Sequence, residues 1–324
     1  MAEQKNYRGK QDWKIHKVIK FGIQRKIVAN MTTESWKEIP HAACGIEPDV
    51  TDFWEIFQRV RKQPGWEGIT INTLLLYVMT KGLIACPAMN AHINFKPWSV
   101  NGTVEEFDEV HISMPMMLPQ GDMMTINIHN CESKSLADLR DYVNDVRRRM
   151  ENTRLEEAMY EAAITNTMRL LKRLRINKAV GRLLGSKIGQ GKIKLLKGKA
   201  KKDYYAIPKS ERLHKLDIEQ GTIVVSNLGS LMRTSTPATP YLIEIIPPHV
   251  AAIALGAINE KPGLIKNETG ESVVAPRKFL NVNVCIDHRA CDFGDFVPFF
   301  ACVDEIFKNP GQIVDWLTKP ANAE

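Results

Sequence analysis

Residues 278–295, near the C-terminus, constrain the fold more than any other stretch of the chain. Every second residue from Leu280 to Ile286 is a branched aliphatic, which is typical of a β-strand with one apolar face. The pattern stops at Asp287, and residues 295–308 then carry apolar side chains at helical spacing. The stretch therefore predicts a buried strand, a short turn that contains His288, and a helix.

His288 is suited to two roles that this spacing alone does not separate. Imidazole titrates near neutral pH, so a histidine can accept and return a proton as a general base. Asp292 follows it by four residues, where a carboxylate could assist. The alternative interpretation is a histidine that only caps the following helix. Other features of the sequence are needed to distinguish a general base from a helix cap.

The composition is that of a globular protein with a substantial core. The chain has 324 residues, of which 44% are hydrophobic and 25% charged, enough for one large domain or two smaller ones. The polar N-terminus predicts no signal peptide, and we expect a cytoplasmic protein that could lie peripheral to a membrane. The six cysteines include no Cys-x-x-Cys pair, so we predict reduced core thiols and no metal site.

One local segment carries the positive charge. Residues 164–202 contain thirteen Lys and Arg and no Asp or Glu, and since the chain carries +7, the remainder carries −6. The segment is interpreted either as a solvated surface hairpin or as an amphipathic element that meets phospholipid, an acidic carrier protein or nucleotide phosphates. Nucleic acid is not expected, because Tyr204 and Tyr205 are the only aromatic residues nearby.

A second apolar run, from Gly221 to Ser226, predicts another strand that ends at a polar side chain. Asn227 and Gly229 follow immediately. A glycine there permits either a close backbone approach or a positive φ. Ser226, Asn227 and Gly229 are therefore candidates for a site at the end of this strand.

The N-terminal part predicts an arm over residues 1–21 and a helix from Gly22 onward. Arg25 lies at the start of that helix, and its inward side chains are predicted at positions 27, 28 and 31. Strand and helix patterns alternate through the rest of the chain, which favours an α/β fold with a mixed sheet.

Five blocks in order resemble the catalytic domain of the dihydrolipoamide acyltransferases of 2-oxo-acid dehydrogenase complexes and, more distantly, chloramphenicol acetyltransferase. The blocks are residues 24–31, 39–41, 86–91, 221–229 together with 245–248, and 287–292. Each is weak alone, but they lie in register from about residue 22 to residue 318. The resemblance implies a chloramphenicol acetyltransferase-like fold, a two-layer mixed β-sheet packed with helices, over residues 22–324.

The resemblance also implies roles for single residues. His288 would be the general base, removing a proton from a thiol or hydroxyl that attacks an acyl thioester directly, without an acyl-enzyme. Ser226 would donate a hydrogen bond to the tetrahedral oxyanion. Asp292 would pair with Arg25 and hold the turn that orients His288. The family forms trimers whose sites lie between two subunits, with the histidine and the serine coming from different chains.

The chain departs from the family pattern at several places. Phe293 replaces the glycine expected after Asp292 and would be strained if that position requires a positive φ, unless Gly294 takes over the turn. Residues 114–125, which help to shape the family's substrate channel, lack the usual pattern, so the acceptor is predicted to differ from standard lipoamide. Asn227, Gly229 and Phe293 are taken as candidates to line that channel.

The leading hypothesis is a stand-alone acyltransferase without a lipoyl domain. Its acyl donor would be a thioester of coenzyme A, phosphopantetheine or a lipoyl group, and the acceptor would be a thiol, hydroxyl or amine. No permanently bound cofactor is expected. We expect a homotrimer or a higher multiple. The alternatives are a catalytically silent trimeric scaffold, favoured by Phe293, and an acyltransferase that acts in trans within a dehydrogenase complex.

Overall fold

Six strands form one mixed sheet in the computed structural model, which describes residues 16–117, 123–172, 195–231 and 236–323. The strands lie in the order β1-β8-β7-β6-β4-β5, and a separate hairpin pairs β2 with β3. β6 is parallel to both of its neighbours, β4 and β7, and the other pairs are antiparallel. The strands are β1 (His41–Ile46), β2 (Ala91–Lys96), β3 (Asn101–Glu106), β4 (Ile112–Met117), β5 (Met123–Ile128), β6 (Ile223–Asn227), β7 (Ala251–Lys266) and β8 (Ser272–Asp287).

Helices cover the sheet. They are α1 (Ile23–Glu38), α2 (Thr51–Val60), α3 (Ile71–Ala85), α4 (Leu136–Glu151), α5 (Leu155–Lys172), α6 (Gly198–Ala206), α7 (Lys215–Ile218), α8 (Leu228–Leu231) and α9 (Val297–Lys308), followed by a 3₁₀ segment at Pro310–Leu317. None of these described helices combines the length and the apolar content that crossing a bilayer requires. The α/β fold with a mixed sheet packed with helices, predicted from the sequence, is confirmed.

The central helix α3 shows why the fold buries so much surface on one face of the sheet. Ten of its fifteen residues are buried, as its apolar sequence predicts. The helix begins where the Thr70 side chain accepts a hydrogen bond from the Thr73 N–H at 3.2 Å. Each fully buried leucine, such as Leu74, contributes about 1.5–3 kcal/mol. The main core lies between this helix and the sheet.

Local sequence signals set several element ends. Ser135 and Asp138 form a reciprocal capping box at the start of α4. The hydrogen bond from the Ser135 hydroxyl is the main reason that the pKa of Asp138 is lowered. β8 ends at Asp287, where the apolar alternation stops. Of the basic segment, residues 173–194 lie outside the described residues.

The prediction for α1 is wrong in one respect. Val28 is 40% exposed and does not point inward. The stripe turned toward the protein runs through Ile23, Ile27, Met31 and Ser35, four residues apart, and Ser35 donates a hydrogen bond to the Ile245 carbonyl at 2.7 Å. Adjacent helical residues point about 100° apart, so Val28 falls beside this stripe. The predicted Arg25 is also exposed.

A buried polar cluster fixes the start of β6, the strand that leads to Ser226. The Gly221 carbonyl lies 3.1 Å from His92 Nε2 and 3.0 Å from His249 Nε2. The Gly221 N–H donates to Ser113 Oγ at 2.8 Å. A Cβ at Gly221 would come within 2.1 Å of the His111 carbonyl oxygen, so only glycine fits this approach. The cluster holds β6 in register with β4.

His249 makes the folded state sensitive to acid. Burial first, and then repulsion from His92, lower its pKa to about 4, so the neutral ring is the form that fits the fold. In an unfolded chain its pKa is about 6.5. His249 therefore favours folding above pH 6.5, and this contribution of about 3 kcal/mol is lost as the pH falls from 6.5 towards 4.

We predict that His249→Gln flattens the acid limb of the stability profile. Glutamine can still donate to the Gly221 carbonyl but cannot take up a proton in this range. The measurement is urea unfolding at pH values from 7 to 4. His16→Gln, which replaces an exposed histidine, is the control. Equal slopes in the His249→Gln variant and the unaltered protein would contradict the prediction.

Candidate functional site

His288 lies on the surface directly after the buried end of β8. Its N–H donates a hydrogen bond to the Pro40 carbonyl at 3.0 Å, beside the point where His41 pairs with Asp287. The side chain is 41% exposed. The main chain therefore holds the residue firmly, while the imidazole remains accessible to a substrate.

A buried ion pair shapes the turn that carries His288. Asp287 is fully buried, and its carboxylate accepts hydrogen bonds from Arg289 Nε at 2.9 Å and from Arg289 Nη2 at 2.6 Å. These bonds raise the pKa of Arg289. The Asp287 N–H donates to the Val250 carbonyl at 2.7 Å. A buried charge needs such a partner, so Arg289 turns back toward the sheet and His288 between them points away.

The carboxylate beside the imidazole belongs to Asp292. Its Oδ1 atom lies 3.2 Å from His288 Nδ1. A proton on Nδ1 faces this negative charge, which leaves Nε2 as the basic nitrogen. Nε2 makes no hydrogen bond to any of the described residues. An imidazole held in this way can act as a general base.

The pair expected between Arg25 and Asp292 does not form within the chain. Arg25 is exposed on α1 and makes no ion pair with any described residue, and Asp292 is 81% exposed and contacts His288 instead. The residue that holds the turn by an arginine pair is Asp287, with Arg289 two positions later. Because Arg289 lies only two residues after Asp287 in the same tight turn, the pair forms without a contribution from α1.

The strain expected at Phe293 is absent. Among the described residues with positive φ, neither Phe293 nor Gly294 occurs. The turn is closed by the Asp292 N–H, which donates to Asp295 Oδ2 at 2.7 Å, and by the Asp295 N–H, which donates to the Asp292 carbonyl at 3.1 Å. This turn does not need a glycine at position 293.

Ser226 is buried near the end of β6. It is 8% exposed, and its hydroxyl makes no hydrogen bond to the described residues. It pairs with Ala254 of β7, which in turn pairs with Asn283 of β8. Ser226 therefore lies level with Asn283 across the sheet, and β7 separates the two residues. Its hydroxyl is available to donate to a group that enters from outside.

The structure does not bring Ser226 and His288 together within one chain. Asn283 precedes His288 by five residues on β8, and β7 separates β8 from β6. Strands lie about 4.8 Å apart and advance about 3.4 Å per residue, which puts the two residues roughly 20 Å apart. Both can act on one substrate only if a second copy of the chain contributes one of them.

The other candidates near Ser226 have structural partners. Asn227 Nδ2 donates to Asn72 Oδ1 at 3.1 Å, at the start of α3, and Asn227 Oδ1 accepts from the Ser230 N–H at 3.0 Å. A Cβ at Gly229 would lie 2.6 Å from the Ala257 Cα, so this glycine serves a close approach to β7 and not a positive φ. They shape the backbone around Ser226.

Cys291 is excluded as a nucleophile. It is 5% exposed, and its thiol donates toward the Ala88 carbonyl at 3.5 Å. Burial raises its pKa to about 12, so the thiolate is not available at neutral pH. All six cysteines are unpaired, and four of them are buried.

Sequence reasoning missed several residues that support this site. They are Asn72, which binds Asn227, and the set that fixes β6, namely His92, Ser113, Gly221 and His249. The Asp-x-Arg spacing at 287–289 is consistent with the buried ion pair. The same spacing also occurs where both charges are exposed, so it does not predict the pair by itself.

The chain matches the sequence model of the catalytic domain of the 2-oxoacid dehydrogenases acyltransferase family. The match covers residues 14–167 and 198–314. Residues 168–197, between the matched parts, fall within the basic segment. No curated protein matches the chain by sequence.

Solved structures of low sequence identity share the fold. A probable dihydrolipoamide acetyltransferase from Listeria monocytogenes has a TM-score of 0.59 and 18% identity, covering 90% of this chain and 94% of that chain. The dihydrolipoamide acetyltransferase of Azotobacter vinelandii has a TM-score of 0.58 and 17% identity, with 92% and 93% covered. A truncated catalytic core of the 2-oxoacid dehydrogenase complex from Thermoplasma acidophilum has a TM-score of 0.56 and 16% identity. The match covers 91% of this chain and 99% of that chain.

We predict that Arg289→Met strongly destabilises the protein, because it leaves the buried Asp287 carboxylate without its cation. The expected loss in the free energy of unfolding is about 3–5 kcal/mol. Urea unfolding at pH 7 measures it. Arg148→Met is the matched control, since Arg148 pairs with Asp145 on the surface. A loss for Arg289→Met no larger than for Arg148→Met would contradict the assignment.

Proposed function

We propose that His288 is the general base of this protein. The premise is that the chain belongs to the family of the 2-oxoacid dehydrogenase acyltransferases and is an acyltransferase enzyme. The acceptor would be a thiol, hydroxyl or amine, and the donor a thioester of coenzyme A, phosphopantetheine or a lipoyl group. The observation that carries this proposal is the exposed imidazole with Nδ1 against Asp292 and Nε2 free among the described residues.

The reaction would proceed in one direct attack. His288 Nε2 takes the proton of the acceptor as the acceptor atom bonds to the thioester carbonyl carbon, which gives a tetrahedral oxyanion. The Ser226 hydroxyl donates a hydrogen bond to that oxyanion. As the carbon–sulfur bond breaks, the departing thiolate takes up the proton from Nε2. No residue of the chain becomes acylated and no permanently bound cofactor is needed.

Two observations support a site formed between copies of the chain. The roughly 20 Å between Ser226 and His288 prevents one chain from supplying both groups to a substrate. Large apolar side chains are exposed on the single chain, among them Trp36 at 55%, Trp98 at 87% and Tyr241 at 81%. We therefore propose a homotrimer or a higher multiple, in which His288 of one subunit faces Ser226 of its neighbour.

A related serine and histidine have been studied together. The structure from Azotobacter vinelandii was used to investigate a serine, a histidine and an asparagine in the catalytic mechanism, with the asparagine four positions after the histidine. Asp292 stands four positions after His288 in this chain. The shared spacing of four residues supports the proposal that Asp292 assists His288, with an aspartate where that protein has an asparagine.

The silent-scaffold hypothesis rested on strain at Phe293, and the unstrained turn removes that argument. The two remaining readings differ in the donor. A stand-alone enzyme would use a coenzyme A or carrier-protein thioester, and an enzyme acting in trans would use a lipoyl group on another chain. Comparing acyl transfer from acetyl-CoA with acyl transfer from S-acetyldihydrolipoamide, with the same acceptors, distinguishes them.

The basic segment is proposed to bind an anionic partner: phospholipid, an acidic carrier protein or the coenzyme A nucleotide. Its described C-terminal end is well anchored, since Glu157 accepts hydrogen bonds from the Leu196 N–H at 2.5 Å and from the Tyr205 hydroxyl at 3.0 Å. The Arg212 guanidinium packs on the Tyr205 ring at 5.1 Å. Lys199 and Lys202 of α6 remain exposed beside this anchor.

We predict that His288→Ala and Ser226→Ala each lose acyl transfer but complement one another when co-expressed. Removing the base costs about 10²–10⁴ in rate and removing the oxyanion donor about 10²–10³. In a randomly mixed ring, about one quarter of the interfaces join an intact His288 to an intact Ser226. Release of coenzyme A thiol from acetyl-CoA in the presence of an acceptor measures the activity.

The control for complementation is each variant mixed with itself under the same conditions. Turnover by His288→Ala equal to that of the unaltered protein would refute the mechanism. Two inactive variants that fail to recover activity in a confirmed mixed oligomer would refute a site shared between subunits.

We predict that replacing Lys197, Lys199 and Lys202 by glutamine weakens binding of the anionic partner without unfolding the protein, because all three are exposed. The probes are vesicles with and without phosphatidylserine, an acidic acyl-carrier protein, and the KM for acetyl-CoA. The matched control replaces Lys37, Lys62 and Lys96, which are also exposed. Equal losses in both variants, or none, would contradict the docking role.

A further inference from the structure

The imidazole of His288 has an aromatic neighbour on its own turn. The Phe293 ring meets it nearly at a right angle, with 5.7 Å between the ring centres and 83° between the planes. This edge-to-face arrangement is the favoured one for aromatic rings. His288 thus contacts two side chains from the same short turn: the Asp292 carboxylate at Nδ1 and the Phe293 ring at its face or edge.

Phe293 is itself held in place by the core. Its ring packs on Phe296 at 5.6 Å, and Phe296 packs on Phe300 at 5.6 Å. Phe296 is 2% exposed, so it belongs to the rigid interior at the start of α9. The aromatic series connects the solvent-exposed imidazole to buried side chains. A ring at the end of such a series has few alternative positions.

Burial alone does not account for Phe293. It is 49% exposed, so it contributes less to the core than Phe296 or Phe299. Its backbone is unstrained, because the turn is closed by Asp292 and Asp295 without a positive φ. The side chain is therefore placed beside His288 without a backbone penalty, and half of its surface is exposed on the single chain. Its main specific contact outside the aromatic series is with the imidazole.

We propose that Phe293 is a positioning residue, whose ring holds the His288 imidazole against Asp292 so that Nε2 points toward the acceptor. The inference rests on the proposed role of His288 as a general base. An exposed histidine can otherwise rotate about its side-chain bonds, and a base must lie within hydrogen-bond reach of the proton that it removes. Asp292, which is 81% exposed, is too solvated to hold the ring by charge alone.

The test compares three substitutions at one position. Phe293→Tyr keeps an aromatic ring, Phe293→Leu keeps apolar bulk without a ring, and Phe293→Gly introduces the residue that the family pattern has there. We expect kcat to be retained in the tyrosine variant and to fall about threefold to tenfold in the leucine and glycine variants, with little change in KM for the thioester. Thermal unfolding of each variant checks that the fold is intact.

A second measurement does not depend on activity. In protein labelled with ¹³C-histidine, the ring signal of His288 is identified by its loss in His288→Gln. We expect one sharp signal in the unaltered protein and in Phe293→Tyr, and a shifted or broadened signal in Phe293→Leu and Phe293→Gly. A failure of the positioning role can thus be told apart from a failure of the proposed acyl transfer, because the order of the ring is observed whether or not the protein transfers an acyl group.

Three outcomes would overturn the positioning role. One is a His288 ring signal that is the same in all three variants. Another is a leucine variant with the kcat of the tyrosine variant, since bulk without a ring would then suffice. A change confined to KM would likewise count against positioning and would make Phe293 a substrate contact only.

Discussion

The buried ion pair between Asp287 and Arg289 is the interaction on which the candidate site depends. A carboxylate with no exposure at the end of β8 must be neutralised locally, and the arginine two residues later does so with two short hydrogen bonds. Folding that arginine back closes the turn. His288 lies between the two charged residues and is thereby turned to the surface. The same turn continues into Asp292 and Phe293, which contact its imidazole.

The sheet explains why one chain gives only part of the site. Ser226 lies on β6 and His288 directly after the end of β8, with β7 between the two strands. The register places the two residues roughly 20 Å apart, a separation that side-chain rotation cannot close. The same strands that hold each residue rigidly also keep them apart. Rigid positioning and a shared site between copies are therefore two consequences of one topology.

Much of the fold, but less of the site, was predictable from the sequence. The strand that ends at Asp287 and the helix that follows the turn depend on residue patterns over a few positions, and both were predicted. The pair that the resemblance implies between Asp292 and Arg25 does not form within the single chain, where Asp292 contacts His288 instead. The strain that a positive φ would cause at Phe293 does not arise, because the turn is closed by Asp292 and Asp295 without a positive φ.

The sequence by itself determined the order of strands and helices, the end of the strand at Asp287 and the family to which the chain belongs. These follow from periodicity and from short motifs, which act over a few residues. Only the tertiary structure decided which carboxylate meets His288, that Val28 lies outside the buried stripe of α1, and how far Ser226 stands from the histidine. Those facts depend on how distant segments pack, which residue spacing along the chain does not specify.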